Sequence, residues 1–544
     1  MVLEFRFKYL SKNKTLGKFL DFAAKKNDCE YKIVQKLDFV YLYVKCSEKS
    51  LGEFSESLSK YLPMSIFYYD IVINTLPDFP NVQTMSLEQD NLISFCPTCL
   101  REVEDEENKN YYNAFKSCEV CDSFEEANFV LDNQKVESSK KLFENLAQKI
   151  NENQKIKIKT LSGTFVFSKV NDLDSSTNLL ATNLLNMSSL VVENKTDIVA
   201  LASIEKPSVD FKINEIYKLN NEIKKDFINI RFANDLTLYF LSLELSKLNI
   251  NFLNIENNKN EFDIFLDIEE KIIKNKLLDI PHIKCFDNKK FFLDSKSYDK
   301  SLDVIYSKFE EKNKSHFMTV LAENELFDKS IVNFYISTKD DDGLSFYSEK
   351  FDGLIDIVKP FNIPSSVEQF FETMKNDETS SRLLQNYKEK FEDDYNKALN
   401  TDISTYKTKS FYNYWQIAKQ ILCFEEDILE NANKCMLEKG PRIDYKLLED
   451  EKLYNREFDY VKLIRSAMSF KLAGVEEETI SLGFMESLAH FIGYELDNIN
   501  SSYDLDGVSL CGDMFRYDIF TSLVEKSITK NFNIYYNKEF VIQK

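Results

Sequence analysis

The first residues, MVLEFRFKYL, alternate apolar and polar positions as a strand does. FRFKYL is read as a strand. LGKFLDFAAKK follows with Leu16, Phe19, Leu20, Ala23 and Ala24 at helical spacing. FVYLYVKC has strand character. LGEFSESLSKYL places Leu51, Phe54, Leu58 and Leu62 on one helical face. SIFYYDIVINTL is a further strand, ended by PDFP. With these three strands and two helices, residues 1–84 are read as strand–helix–strand–strand–helix–strand, the split βαβ order of ferredoxin-like folds, the second strand being implied by that order and not placed.

Beyond residue 130 the pattern changes twice. SSKKLFENLAQKINEN (138–153) predicts a helix, and IKIKTLSGTFVFSKV (156–170) a hairpin turning at Ser162 and Gly163. From 176 to 350, strand-like SLVVEN, DIVALASI, INIRFA and IVNFYIS alternate with the helical LTLYFLSLELSKL, an α/β pattern. From 365 to 500 the periodicity is helical. DGVSLCGDMFRYDIFTSLVEKSI and FNIYYN close the chain as strand–helix–strand. No repeat of fixed period and no long linker interrupts this order. A chain of 544 residues exceeds what one core holds, so two to four domains are expected.

Charge narrows the partners. A net charge of −21 argues against a duplex nucleic acid held through its phosphates. No window approaches the roughly 18 to 20 apolar residues of a membrane span, and the N-terminus lacks a secretory pattern. A cytoplasmic protein with reduced thiols is expected. Glycine narrows the chemistry. It occurs 11 times, about 2%, against a usual value of roughly 7%. No G-x-G exists, and the one G-x4-G, Gly507 to Gly512, leads into Asp513 and Met514 instead of Lys and Ser/Thr. Loops that cradle phosphates need clustered glycines, so ATP is not expected as a cofactor.

Four of the ten cysteines are ordered as Cys96-x2-Cys99-x18-Cys118-x2-Cys121. Each CxxC makes a tight knuckle, and two facing knuckles complete a tetrahedral thiolate shell. A structural zinc is predicted there. With four protein ligands such a site keeps no open position for a reacting water. The other six cysteines (29, 46, 285, 423, 435 and 511) are scattered and expected to be free, buried or half-buried thiols.

CPTCLREVEDEENKNYYNAFKSCEVC resembles the first zinc finger of the HypF family, hydrogenase-maturation carbamoyltransferases. It shares the CxxCLxE opening, a polar stretch, Tyr and Phe before the second pair, and the x18 spacing. The resemblance implies an acylphosphatase-like domain over 1–84 and a four-cysteine zinc finger over 90–128. An intervening α/β region, YrdC-like or unique, would cover 130–214. A helix-rich domain of actin-like-ATPase type would cover 215–544. It implies transfer of a carbamoyl group by way of carbamoyl adenylate. KSHFMTVLAENELFDKSIVNFYISTKDDDGLSFYSEKFDGL (314–354) and GVSLCGDMF (507–515) look like motifs of that last domain.

The departures fall on the family's working residues. Gly17 stands where the phosphate-gripping Arg is expected, and Gln35 and Lys36 fall near the partner Asn. The second finger is missing, and no basic nucleotide motif is recognisable between 130 and 300. Lys312 and His316 take the place of the HxxxH metal pair, so His316 would be a remnant ligand. Tyr335 replaces a metal-binding Asp, and Gly512-Asp513 the glycine pair of the nucleotide loop. Lys312 is expected to rest near Asp340 or Glu349, where a metal once stood.

The expectation is a HypF-like zinc-finger protein that kept its architecture, lost carbamoyl transfer, and serves as a scaffold for a protein partner, hydrogenase-maturation factors included. An active carbamoyltransferase and an unrelated zinc-ribbon protein are the alternatives. Neither nucleic acid nor membrane is an expected partner. Trp415 is read as core, EVEDEEN (102–108) as a solvated loop, and Asp340-Asp341-Asp342 as a polar turn.

Overall fold

The computed structural model describes the chain apart from residues 1, 46–47, 89–92, 94, 117, 122–126, 258–260, 270–279, 287–288, 295–298, 352, 449–453, 529–531 and 543–544. Cys46 thus lies outside the described residues. Two compact units form, Met1–Asp299 and Lys300–Lys544.

The first unit opens with β1 (Val2–Tyr9), α1 (Thr15–Lys26), β2 (Glu30–Lys36), β3 (Phe39–Lys45), α2 (Glu48–Tyr61) and β4 (Tyr68–Leu76). The strands pair in the order β2-β3-β1-β4, all antiparallel. This is the ferredoxin-type order expected. Alternation in β1 turns Phe5 and Phe7 inward, and Phe5 meets Phe54 of α2 edge-on at 5.9 Å. β2 lies in EYKIVQK, a stretch that periodicity does not single out.

The finger follows, with the short helix α3 (Pro97–Glu104). Twelve strands between Phe129 and Asp294 then build one mixed sheet. Its core includes Phe143, Phe167, Phe240 and Leu253. The boundary expected at 214/215 falls inside this sheet. Ser208–Ile213 pairs with Phe227–Arg231 on one side and with His282–Phe286 on the other. The second unit begins at Lys300, not 215. DIVALASI, read as a strand, is mostly a helix (Lys195–Ala202), because Asn194 and Asp197 form a reciprocal capping box that starts one. The hairpin expected at 156–170 is present, with Thr160 facing Gly163 across the turn. Gly163 has φ 135°, a conformation that favours glycine.

In the second unit Ile331–Tyr335 lies at the centre of a five-stranded sheet. Gly343–Ser348 and Gly353–Asp356 continue it antiparallel on one side, Gly507–Cys511 and Asn533–Tyr535 parallel on the other. Three antiparallel strands followed by two parallel ones is the core order of actin-like ATPases. The two inner parallel strands are buried along their whole length, as parallel strands are. The long crossover between the two halves of the sheet carries the helices expected over 365–500. The longest, Glu477–Ser502, lets segment 439–443 approach at Gly483, where a Cβ would lie 2.5 Å from the Pro441 carbonyl oxygen. Trp415 is fully enclosed, its indole N–H donating to Tyr445 Oη at 2.7 Å.

Candidate functional site

Cys96 is the N-cap of α3. Its Sγ accepts the Cys99 N–H at 3.4 Å, and Pro97 opens the helix with its φ preset and no N–H to lose. Cys118 and Cys121 bring a second knuckle against the first. Sulfur separations are 3.5 Å for Cys96–Cys118, 3.5 Å for Cys99–Cys121 and 3.4 Å for Cys118–Cys121. All four sulfurs lie within 4.8 Å of one another. A tetrahedral zinc with bonds of about 2.3 Å needs sulfur–sulfur edges of about 3.8 Å, so the cage fits such an ion after a few tenths of an ångström of expansion. Crowding separates the proton affinities. A hydrogen bond from Cys121 holds Cys118 well below the usual thiol range, and the same bond pushes Cys121 up.

Phe19 and Phe22 of α1, Ile93, Val120 and Ile204 close around the cage. Lys116 pairs with Glu102 beside it at 3.2 Å. Deeper in the loop Tyr112 stacks on Phe240 at 4.5 Å and hydrogen-bonds Glu244, which anchors the finger to the large sheet. Of the acidic run, Glu104 to Glu107 are exposed, while Val103 is buried. The cage is a fastening between the ferredoxin-type layer and the sheet.

The start of α1 is filled by the chain's own residues. A Cβ on Gly17 would lie 2.8 Å from Leu87 Cδ2 and 3.2 Å from Met85 Cε. Met85 is held there by its N–H donating to the Ile33 carbonyl at 2.8 Å. The preceding loop is tied to itself: Asn13 Oδ1 accepts the Tyr9 hydroxyl at 2.6 Å and the Thr15 N–H at 3.0 Å. Gln35 donates to the Ser11 carbonyl at 2.6 Å. Where the resemblance placed a phosphate grip, apolar side chains pack.

In the second unit the expected remnant ligand is a core residue. His316 is fully buried, its ring 5.1 Å from Tyr306 and 5.3 Å from Tyr335, with Phe540 at 6.0 Å. Burial lowers its pKa from 6.5 to about 4, against a small opposing pull from Asp340 and with a small push from Lys312. Among the described residues the four cysteines are the one group of three or more His, Cys, Asp or Glu side chains arranged to share an ion. His316 as a metal ligand is therefore corrected to His316 as packing: the aromatic ring suits an aromatic cluster, and desolvation keeps it neutral.

Lys312 Nζ lies 3.0 Å from Asp340 Oδ1, the cation substitution expected from sequence. The Tyr335 hydroxyl donates to the other oxygen of Asp340 at 3.3 Å. The three consecutive aspartates diverge. Asp341 accepts the Lys409 N–H at 2.7 Å, and Asp342 accepts the N–H groups of Ser337 and Phe411, each at 2.7 Å. They tie a turn, each through backbone N–H groups or a side chain of its own. Asp513 Oδ1 accepts the Thr338 N–H at 2.7 Å and the Ser337 hydroxyl at 2.9 Å, and its Oδ2 accepts the Thr338 hydroxyl at 2.5 Å. An internal carboxylate thus takes the donors of the loop at Ser337 and Thr338. Gly512 beside it has φ 99°, and a Cβ there would lie 2.2 Å from the Ile336 carbonyl oxygen.

The acid sensitivity of His316 has a definite sign. An unfolded imidazole takes its proton near pH 6.5, the folded one near 4. Between these values the unfolded chain binds more protons, so stability is lost as pH falls through the window. The full difference is about 3 kcal/mol. Urea midpoints measured from pH 7 to 4 should fall less steeply in His316→Phe than in the parent. Equal slopes would show that the ring titrates normally.

Sequence reasoning missed, among others, a cavity on the large sheet. It holds about 310 Å³ on a polar face of the large sheet. The strand Phe227–Arg231 alternates, with Ile228 and Ile230 in the core and Asn229 and Arg231 lining the cavity. Register sets Ser208 opposite Arg231 and His282, and Asn178 opposite Asn229. The signal was present in INIRF, whose polar positions share one face of a strand.

No family model matches the chain. Solved structures match its fold. A full-length HypF in a phosphate- and nucleotide-bound form aligns with a TM-score of 0.61 at 12% identity, covering 100% of this chain and 96% of that one. HypF of T. kodakarensis aligns with a TM-score of 0.65 at 12% identity, covering 98% and 95%. The chain thus has a fold similar to these HypF structures along its whole length, as the finger implied. In sequence it is similar to a particular relative, protein HydE of Wolinella succinogenes, 23% identical over 564 residues that cover 98% of each chain. No helix among the described residues is long and apolar enough to cross a membrane.

Proposed function

We propose that this chain is an accessory protein of hydrogenase maturation that uses the HypF architecture to hold protein partners and does not transfer carbamoyl groups. The finger binds zinc, and the chain works in the cytoplasm. The supporting observation is Asp513, in the loop that resembles the family's nucleotide loop, whose carboxylate occupies the donors of Ser337 and Thr338. A second negative group, such as a nucleotide phosphate, meets repulsion there and finds no vacant N–H on Thr338. The packed start of α1 and the Lys312–Asp340 pair point the same way.

The test is carbamoyl-phosphate-dependent exchange of pyrophosphate into ATP by the full-length, zinc-loaded protein, with HypF as the positive control. No exchange above background is expected. Exchange at rates near the control would sink this reading and favour an active carbamoyltransferase.

A further inference from the structure

We propose that the groove between segment 439–448 and the helix Glu477–Ser502 docks an extended acidic segment of a protein partner, one that carries apolar side chains between its carboxylates. The inference rests on the partner-holding role proposed above and names a surface for it. The groove lies wholly within the second unit and holds about 950 Å³. On the helix side its rim is set by Glu486, His490, Tyr494 and Asn498, every fourth residue of one helical face. From Glu486 to Asn498 the helix rises about 18 Å, the length of about five or six residues of extended chain. A site of that length suits a peptide better than a compact metabolite.

The lip of the groove is preformed. Gly440 donates its N–H to Glu486 at 2.9 Å, Ile443 to Ser487 Oγ at 2.9 Å, and Asp444 to Ser466 Oγ at 3.0 Å. A segment so tied loses little freedom on binding. Ile443, Tyr445 and Phe491 are buried in the floor. Apolar surface is left over above them. Among the described residues of the second unit, five of the eight exposed large hydrophobic side chains belong to this region. Met436, Leu437, Leu448, Tyr454 and Tyr494 lie in the groove lining or within three residues of it. Such clustering marks a protein interaction site, and Tyr494, 64% exposed, is of the residue type that anchors one.

Charge selects the partner. Lys439, Arg442 and Lys446 stand exposed along the lip, and among the described residues none of the three has an ion-pair partner. Two of the carboxylates beside them are engaged: Glu495 is buried in a pair with Arg456, and Glu486 holds the Gly440 N–H. Half-buried Asp444 is the remaining acid of the lining, set against three cations. A chain of net charge −21 repels an acidic protein at long range, but at physiological ionic strength that field is screened beyond about 8 Å. Cations that meet carboxylates at contact then decide which partner is accepted. A nucleic acid carries its charge far beyond the three cations, and the acidic chain repels the rest of it.

The test is fluorescence anisotropy with the full-length, zinc-loaded chain and a labelled octapeptide of alternating glutamate and leucine. Controls are octapeptides of alternating glutamate and serine and of alternating lysine and leucine, and a uridine octanucleotide. Saturable binding of the glutamate–leucine peptide is expected, at least tenfold tighter than any control, and at least threefold weaker in high salt than in low. Charge reversal at the three exposed cations (Lys439→Glu, Arg442→Glu and Lys446→Glu together) should lower the affinity at least tenfold with an unchanged urea midpoint. Tyr494→Ser should lower it at least threefold, and decides the matter if the triple variant does not fold. No saturable binding, equal binding of either control peptide, tighter binding of the oligonucleotide, or binding that survives both sets of substitutions would overturn the proposal. So would concentration-dependent self-association that the charge reversal removes, since the occupant would then be a second copy of the chain. Peptide binding is read without ATP or carbamoyl phosphate, so it stands or falls separately from the absence of carbamoyl transfer.

Discussion

Stripping the metal from the finger is expected to have the largest effect of any single perturbation. Structural zinc sites in isolated fingers contribute apparent free energies of about 10 to 16 kcal/mol at neutral pH. The knuckles themselves have little regular structure to hold them, although Tyr112 anchors the loop between them to the large sheet. α3 has eight residues, too few to be stable alone, and its N-cap is a cysteine sulfur that a metal would fix in place. Without the ion, the crowded sulfurs must share protons or move apart. Native mass spectrometry should show one zinc per chain. Chelation or Cys118→Ser should lower that occupancy and open the segment to protease at least tenfold faster. Because Phe19, Phe22 and Ile204 pack around the cage, the hydrogen-exchange protection of α1 should fall with it. A metal-free parent with a protease-resistant loop would end the zinc assignment.

Removing the Asp513 carboxylate should come next in size. It accepts three hydrogen bonds, two from Thr338 and one from the fully buried Ser337 hydroxyl. Bonds to a charged group contribute roughly 1.5 to 3 kcal/mol each and do not add fully, so Asp513→Ala should cost roughly 4 kcal/mol in urea unfolding. Asp513→Gly returns the loop to the glycine pair of the HypF pattern. It should still bind no ATP with Mg²⁺ in calorimetry. Lys312 remains paired with Asp340, and Tyr335 stands where the resemblance places a metal-binding Asp. Saturable, micromolar ATP binding by Asp513→Gly would show that this one carboxylate had closed an otherwise intact site.

Residues whose role depends on neighbours close in sequence were legible. The finger declares itself because CxxC geometry is local and the x18 loop is long enough to close it. The Lys312–Asp340 pair is legible because a helix and a strand–turn of known order place the two together. DIVALASI misleads because a run of apolar residues does not distinguish a buried helix from a buried strand, and its capping box decides the matter. The division at 214/215 is misplaced because strand partners can lie far apart in the chain, and His282 pairs beside Ser208 across 73 intervening residues.

The sequence by itself determined the α/β layers, the split βαβ opening, the spacing of the four clustered cysteines and the residue types that stand where the resemblance places groups that grip phosphate and metal. These follow from periodicity, spacing and residue chemistry, which act over a few residues. Only the tertiary structure decided what those residues and their neighbours do. Met85 and Leu87 fill the start of α1, His316 sinks into an aromatic cluster, Asp513 takes the donors of a distant turn, and Arg231 is left enclosed beside a cavity. Each outcome depends on desolvation and on partners remote in the chain, 175 residues away in the case of Asp513 and Thr338, and no local pattern encodes either.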